Sequence, residues 1–548
     1  MTNAEKDNAP ARREQEHFFS AAKVVAGLTM ISRVLGLVRD IAIIPLGRGL
    51  VADTFWTAFG IPHMFRRLFG EGALSAAFVP VFTEAAEADG WARARMVLAN
   101  TAGLLTVLLT VIVALIELGL AAWLWWGGSD LAIKQQLTVQ FTMIMLPFAV
   151  FICLLALCSA ALNARGHFAY PAAAPILLNV GLITATVLIG PAVTGSKVGR
   201  FRVFGVALVA TSVLQLVGAL WLLRRYGLGG RWRLRPVLPE IRQIASRMLP
   251  TVLPLGLVQI GDQLMRFIAL GMTRTEAAPH LPLAPGVVRA QYVAGRLYQL
   301  PLGVLAIAIA TAVFPLMSRC VARGDLAGLR HVINRALRLC LFLSIPAGVG
   351  LILIAHPTIV AGFQRGDFTA ADSATTAVML RMYCLGLPAY FVSHILLRAF
   401  FSRKDTKTPM YAAAACMALS VVLMVAGIHT PLRSAALGLA TAIAAIVNVA
   451  WLLWALHRKV GKLGVRSILA SALRTAGATA ALAAAVLGAQ WAVRSASGSL
   501  LPGGAYVALI VEIIAAVLAG AGAFLLAARL LGCAELGELR RGKASAGT

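Results

Sequence analysis

Charge is scarce in this chain, and acid is scarcer than base. Asp and Glu number 22 against 49 Lys and Arg, and charged residues make up only 13% of 548. A soluble domain carries about 25% charged residues. That shortage, with 59% hydrophobic residues and a mean hydropathy of +0.83, excludes an ordinary soluble enzyme and fits a chain that crosses a membrane many times. The seven cysteines form no CxxC pair and lie mostly in apolar runs, which excludes a disulfide framework or a thiolate metal centre. Walker A, HExxH and GxSxG patterns are missing, so an ATP-driven pump does not fit, and no metal or cofactor is implied. Energy for any transport then comes from an ion gradient or the membrane potential. The net charge of +27 does not indicate nucleic-acid binding, because no basic domain stands outside the apolar runs. The first 19 residues are polar, and the apolar run after them is long enough to span, which argues against a cleavable signal peptide.

What is present is a series of fourteen apolar segments of spanning length. Their limits are near 20–46, 53–83, 94–126, 136–163, 168–190, 201–226, 243–273, 287–318, 330–363, 372–402, 408–429, 432–457, 465–494 and 504–531. The expected fold class is an all-α polytopic membrane protein with 14 transmembrane helices. Basic residues concentrate in the loops of one side: Arg224, Arg225, Arg231, Arg233 and Arg235 after span 6, Arg403, Lys404 and Lys407 after span 10, and Arg458, Lys459 and Lys462 after span 12. The positive-inside rule makes that side cytoplasmic, with both termini on it.

The chain also repeats. ALNARGHFAYPAAA after span 4 matches AFFSRKDTKTPMYAAA after span 10, and AAFVPVFTEAAEADG near the end of span 2 matches TAVFPLMSRCVARGD near the end of span 8. Spans 1–6 and 7–12 therefore read as two related lobes, 20–230 and 231–462, flanked by a cytoplasmic tail 1–19, a two-span addition 463–532 and a second tail 533–548. Paired lobes around a central cavity are a transporter architecture.

One stretch breaks the apolar background. Between Ile31 and Glu84 the spans carry Arg33, Arg39, Asp40, Arg66, Arg67 and Glu71. Charges at bilayer depth are costly and usually face a bundle interior or a watery cavity. Arg33 and Asp40 are seven apart and share a helical face, whereas Arg39 points about 120° away from Arg33. Arg67 and Glu71, four apart, are surface neighbours. Pro62 is expected to kink span 2, or break its hydrogen-bond ladder, just before the Arg66–Arg67 pair. Each arginine alone can be read as a snorkelling or ion-paired structural residue. Two acids, Asp40 and Glu71, do not neutralise four arginines, so together they point to a cavity that holds an anion. In span 8, Arg296 shares a face with Tyr292 and Gln299. Asp262 and Arg266, four apart, read as a structural pair.

At SRVLGLVRD, and above all at RRLFGEGALSAAFVPVFTEA, the chain resembles the MurJ (MviN) family of lipid II flippases, within the multidrug/oligosaccharidyl-lipid/polysaccharide exporter superfamily. The resemblance covers nearly the whole chain. It implies two six-helix lobes around a central cavity, a hydrophobic groove formed by the last two helices for a lipid tail, and transfer of undecaprenyl-pyrophosphate-linked peptidoglycan precursor, lipid II, from the inner to the outer leaflet of the bacterial cytoplasmic membrane. Residue by residue, it implies pyrophosphate-binding roles for Arg33, Arg39, Arg66 and Arg296, and gating or charge-partner roles for Asp40, Asp53 and Glu71. Two departures stand out. Gln299 replaces an acid found in some relatives, and span 11 (YAAAACMALSVVLMVAG) has no Asn or Asp, where some relatives build a sodium site. Asp262 and Asn448 are the ligand types that remain for monovalent-ion coupling. The competing readings are a flippase for another polyprenyl-linked saccharide and a multidrug or cation exporter; the surplus of arginine disfavours the latter.

Overall fold

The computed structural model describes residues 9–68, 74–127, 132–500 and 505–538. Among them every regular element is helical, apart from two isolated bridges in the 272–286 loop. Lipid offers backbone amides no water, and an apolar helix satisfies them within itself. The chain divides into two compact units, Met1–Gln263 and Leu264–Thr548.

The first unit opens with α1 (Ala9–Ile43), a tight 3-10 turn at Ile44–Leu46 and α2 (Gly49–Phe65). The helix α3 (Leu74–Gly127) is 54 residues long, about 80 Å at 1.5 Å per residue and far more than a bilayer core of about 30 Å. Gly90, at φ 78° and ψ 173°, breaks it into two rods. That break falls between the apolar segments expected at 53–83 and 94–126. Then follow α4 (Ile133–Met145), α5 (Phe148–Ala164), α6 (Ala169–Thr184, prolonged by a π-type stretch to Ile189), α7 (Lys197–Arg225) and α8 (Pro239–Gly271), in which the boundary between the units falls. The centre of this unit is aromatic. Phe55 stacks on Phe201 at 4.3 Å and meets Phe141 and Phe204 edge-on, while Trp56 and Phe59 continue the cluster along α2. Such rings bury a large apolar area in well-defined geometry, so α2 is held rigidly under the residues that follow it.

The second unit comprises α9 (Val287–Pro301), a π-type stretch and α10 (Ile307–Ala322), α11 (Leu326–Phe363), α12 (Ala370–Leu385), α13 (Leu387–Ser402), α14 (Lys407–Ile428), α15 (Ala435–Val460), α16 (Val465–Leu500) and α17 (Ala505–Leu530). One core joins α10, α11, α13 and α15 through Ala310, Ile333, Phe391, Ile395, Leu452 and Leu456. A second joins α11, α16 and α17 through Phe342, Leu482, Val486, Ala516 and Phe524. Small residues let α16 and α17 approach closely in lipid: Gly520 lies under Val486 with no room for a methyl group, since a Cβ there would come within 2.7 Å of Val486 Cγ2.

Among the described residues ten helices are long and apolar enough to cross a membrane, and α12 with α13, bent by 44°, makes an eleventh when counted as one span. Large side chains such as Trp125, Trp126 and Leu530 are more than three-quarters exposed. An apolar exterior of this kind is what a lipid solvent permits. The chain is an all-helical, multi-pass membrane protein.

Candidate functional site

Arg39 lies near the end of α1 and is only 6% exposed. Its guanidinium donates to Asp40 Oδ1 from Nη2 at 2.6 Å and from Nε at 3.1 Å, and from Nη1 to Asn179 Oδ1 at 3.2 Å. Asn179 in turn donates its amide to the Ser32 carbonyl at 3.1 Å, which locks α6 against α1 at this level. A buried cation is tolerated when an anion and further acceptors surround it. Asp40 supplies the charge and Asn179 the aim, so the guanidinium is desolvated, oriented and neutralised.

Arg66 and Arg67 follow Pro62, which cannot donate to the helical ladder. There α2 widens into a π-type turn over residues 66–68, and the Arg66 N–H reaches both the Pro62 and His63 carbonyls. Widened turns of this kind re-aim side chains. Arg66 Nε donates to His63 Nδ1 at 3.3 Å, and the His63 ring lies edge-on to Phe59 at 4.1 Å. Arg66 is thus braced from the aromatic core. Arg67 turns elsewhere: Nη1 donates to Gln259 Oε1 at 3.1 Å and lies 4.0 Å from Asp262 Oδ2, both on α8. Gln263 donates to the Thr57 carbonyl at 2.8 Å and fixes the same helix against α2.

Arg33 sits on an exposed face of α1 among Met30, Val34 and Leu37. Asp53 is fully buried in the first turns of α2. Glu71 lies outside the described residues, and so does the Arg67–Glu71 pairing expected from spacing. In the second unit, Arg296 on α9 donates from Nε and Nη2 to the Tyr292 hydroxyl, at 3.0 and 2.9 Å. Tyr298 stacks on Tyr383 at 4.9 Å and lies 5.3 Å from Tyr390, so α9 is seated by rings while Arg296 is half-buried beside half-buried Gln299.

The structure thus joins Arg39 to Asp40, and gives Arg66 and Arg296 their local braces. Sequence reasoning missed Asn179 and His63. Asn179 had a signal: it is the single amide in the apolar run AYPAAAPILLNVGLIT, and an unpaired amide in lipid is costly. Asn448 donates to Ser393 Oγ at 3.3 Å. Among the described residues no group of three or more His, Cys, Asp or Glu is placed to hold a metal ion.

A separate apolar cavity of about 470 Å³ opens between α11, α16 and α17, lined by Phe342, Pro346, Val486, Ala516, Gly520 and Phe524.

Comparisons with known proteins agree with each other. The family model described as lipid II flippase MurJ matches residues 43–505. A probable lipid II flippase MurJ of Bdellovibrio bacteriovorus is 31% identical over 97% of this chain and 98% of its own length. One from Vibrio cholerae is 32% identical over 79% of this chain and 82% of its own. Among solved structures, a lipid II flippase MurJ in an inward closed conformation superposes with a TM-score of 0.70 at 23% identity, over 92% of this chain and 99% of that one. An inward-facing MATE family multidrug transporter of the MOP superfamily superposes at 0.65 with 16% identity, over 81% of this chain and 98% of that one. At those identities the two structures speak for the fold.

Proposed function

The chain belongs to the family of lipid II flippases MurJ, and from that premise we propose that it carries lipid II from the inner to the outer leaflet of a bacterial cytoplasmic membrane by alternating access. The observation that carries this reading is the family match across 43–505, which includes Asp53, Arg66 and Arg296. The finer architecture is part of the proposal: 14 spans, lobes at 20–230 and 231–462, a tail groove at 463–532, and tails 1–19 and 533–548 in the cytoplasm.

Lipid II presents a pyrophosphate diester between a polyprenyl tail and a sugar–peptide headgroup. Guanidinium groups match phosphate oxygens with paired N–H donors and stay charged at any relevant pH. Arg33, Arg39, Arg66 and Arg296 are proposed to take the pyrophosphate. Arg39, held by Asp40 and Asn179, and Arg66, held by His63, enter with their orientation already fixed. Asp40, Asp53 and Glu71 are proposed to retake arginine partners as the headgroup leaves. The apolar cavity between α11, α16 and α17 supports a tail that stays beside the last two helices during transfer.

An inside-negative potential favours outward movement of each negative charge by about 2.3 kcal/mol per 100 mV. Coupling to the potential or to a monovalent ion is proposed as the energy source.

The test is depletion of the protein in its own cells, with lipid II labelled from outside. A fall in externally accessible lipid II while the total rises supports the reading. An unchanged distribution overturns it and moves the substrate to another polyprenyl-linked saccharide.

A further inference from the structure

The helices of the second unit alternate ends. The basic loops at 403–406 and 461–464 lie at one end, and the loops 272–286 and 429–434 lie at the other. At that second end two cavities, of about 990 and 190 Å³, share a wall: Arg274 and Arg433 line both. His280 and His429 line the larger one. The one acid among the lining residues, Asp372, is already engaged. Its Oδ1 lies 2.8 Å from Arg289 Nη2, and its Oδ2 accepts from the Thr369 N–H and hydroxyl at 2.8 and 2.9 Å. Gly286, at φ 102°, makes that engagement possible, because a Cβ there would come within 2.9 Å of Asp372 Oδ1. The walls therefore keep two arginine charges that no lining acid neutralises.

Both arginines stand on hydrogen-bonded loops, Arg274 half-buried and Arg433 exposed. The 272–286 loop is tied by Arg274 N–H to the Leu283 carbonyl at 2.9 Å and Leu283 N–H to the Met272 carbonyl at 3.1 Å. Arg274 Nη2 donates to the Pro282 carbonyl at 3.3 Å, while its Nε is buried and meets no acceptor among the described residues. Arg433 stands at φ 43°, a left-handed conformation in which glycine is the default. The turn that imposes it is closed by Arg433 N–H to the Thr430 carbonyl and Leu432 N–H to Thr430 Oγ. A residue held in a strained backbone conformation, lining the same cavities as a guanidinium with one buried N–H left over, is a pattern found at ligand clamps.

We propose that this basin is a binding site for the carboxylates of an acidic peptide, the peptide of the translocated headgroup, with Arg274 and Arg433 as the two carboxylate anchors. The proposal rests on the flippase reading and deepens it: under that topology the basin faces outward, where the headgroup emerges. A peptide ends in a carboxylate, which the guanidinium fork matches. The larger cavity is in the size range of a small-molecule pocket, well beyond what a lone phosphate fills.

The test uses the full chain in nanodiscs of zwitterionic lipid. The probe is a fluorescent, water-soluble disaccharide–peptide that lacks pyrophosphate and tail, together with its carboxamide form. Wild type is expected to bind the acid form, with R274Q and R433Q each weaker by about tenfold or more, as loss of a charge-assisted bond implies. The carboxamide is expected to bind wild type as poorly as the acid binds the variants. R433G relieves the strained φ, so its thermal stability is expected to hold or rise while binding is lost; R433K is expected to keep part of it. Unchanged binding in R433G and R274Q overturns the proposal. So does displacement of the probe by inorganic phosphate, or by phosphatidylglycerol vesicles, as readily as by unlabelled peptide. Lipid II translocation is measured in parallel. A wild type that moves lipid II but does not bind the probe overturns this inference alone. One that binds the probe but moves no lipid II keeps the basin as an acidic-peptide site and removes the flippase reading.

Discussion

Replacing Asp40 with Ala removes the carboxylate that meets the buried Arg39 guanidinium. The Arg39 and Asp40 side chains are 7% and 6% exposed and meet at 2.6 Å. Breaking a buried pair by deleting one partner costs about 3–5 kcal/mol, because the remaining charge stays out of water. For a unit of this size each kcal/mol moves the melting temperature by about 2–4 °C. Asp40→Ala is therefore expected to melt about 6–20 °C below wild type, followed by tryptophan fluorescence of the purified protein. Removing both charges, Arg39→Met with Asp40→Ala, is expected to recover most of that loss, since no uncompensated ion remains. Transport separates the two roles. If Arg39 takes the pyrophosphate, the double variant stays folded and fails to translocate lipid II. Asp40→Ala melting with wild type would refute the buried-pair energetics, and normal lipid II exposure by the double variant would refute the role of Arg39.

Other outcomes follow from single contacts. Asn179→Leu strips Arg39 of its second acceptor and the Ser32 carbonyl of its donor; a loss of about 1–3 kcal/mol is expected in thermal unfolding, with reduced lipid II exposure. Ala521→Trp fills the cavity between α11, α16 and α17, and is expected to slow transport of full-length lipid II more than that of a short-tailed analogue; equal slowing would detach the cavity from the tail. Burial raises the Asp405 carboxyl, but hydrogen bonds from the Lys459 ammonium and from the Thr408 N–H and hydroxyl outweigh it, so the group is held below its usual range. A carboxyl lowered in the fold stabilises it above the unfolded value of about 3.9, and that contribution is lost as pH falls through the folded value. Melting temperature is thus expected to fall below about pH 4, and Asp405→Asn is expected to flatten that limb. Gly286→Ala, at a positive φ and against Asp372, is expected to destabilise the second unit by about 1–3 kcal/mol in the same melting assay.

Run length and charge scarcity by themselves determined that this is an all-helical membrane protein, because a continuous apolar run of spanning length satisfies its amides in lipid as one helix, whereas a barrel strand is short and alternates in hydrophobicity. Local spacing also sufficed for the Tyr292–Arg296 contact, four residues apart on one helix, and for the disturbance after Pro62. The tertiary structure alone decided the rest. Arg39 meets an amide 140 residues away, and Arg67 turns to Gln259, 192 residues away. Hydropathy records that a segment is apolar, but not which face it turns to which neighbour. The Gly90 break, by contrast, falls in the polar stretch between the apolar segments read at 53–83 and 94–126, so the sequence marked the place and the structure added the backbone geometry. The basin of Arg274 and Arg433 belongs with the contacts of Arg39 and Arg67. Two loops about 160 residues apart become one charged surface only when α8, α9, α14 and α15 bring their ends together.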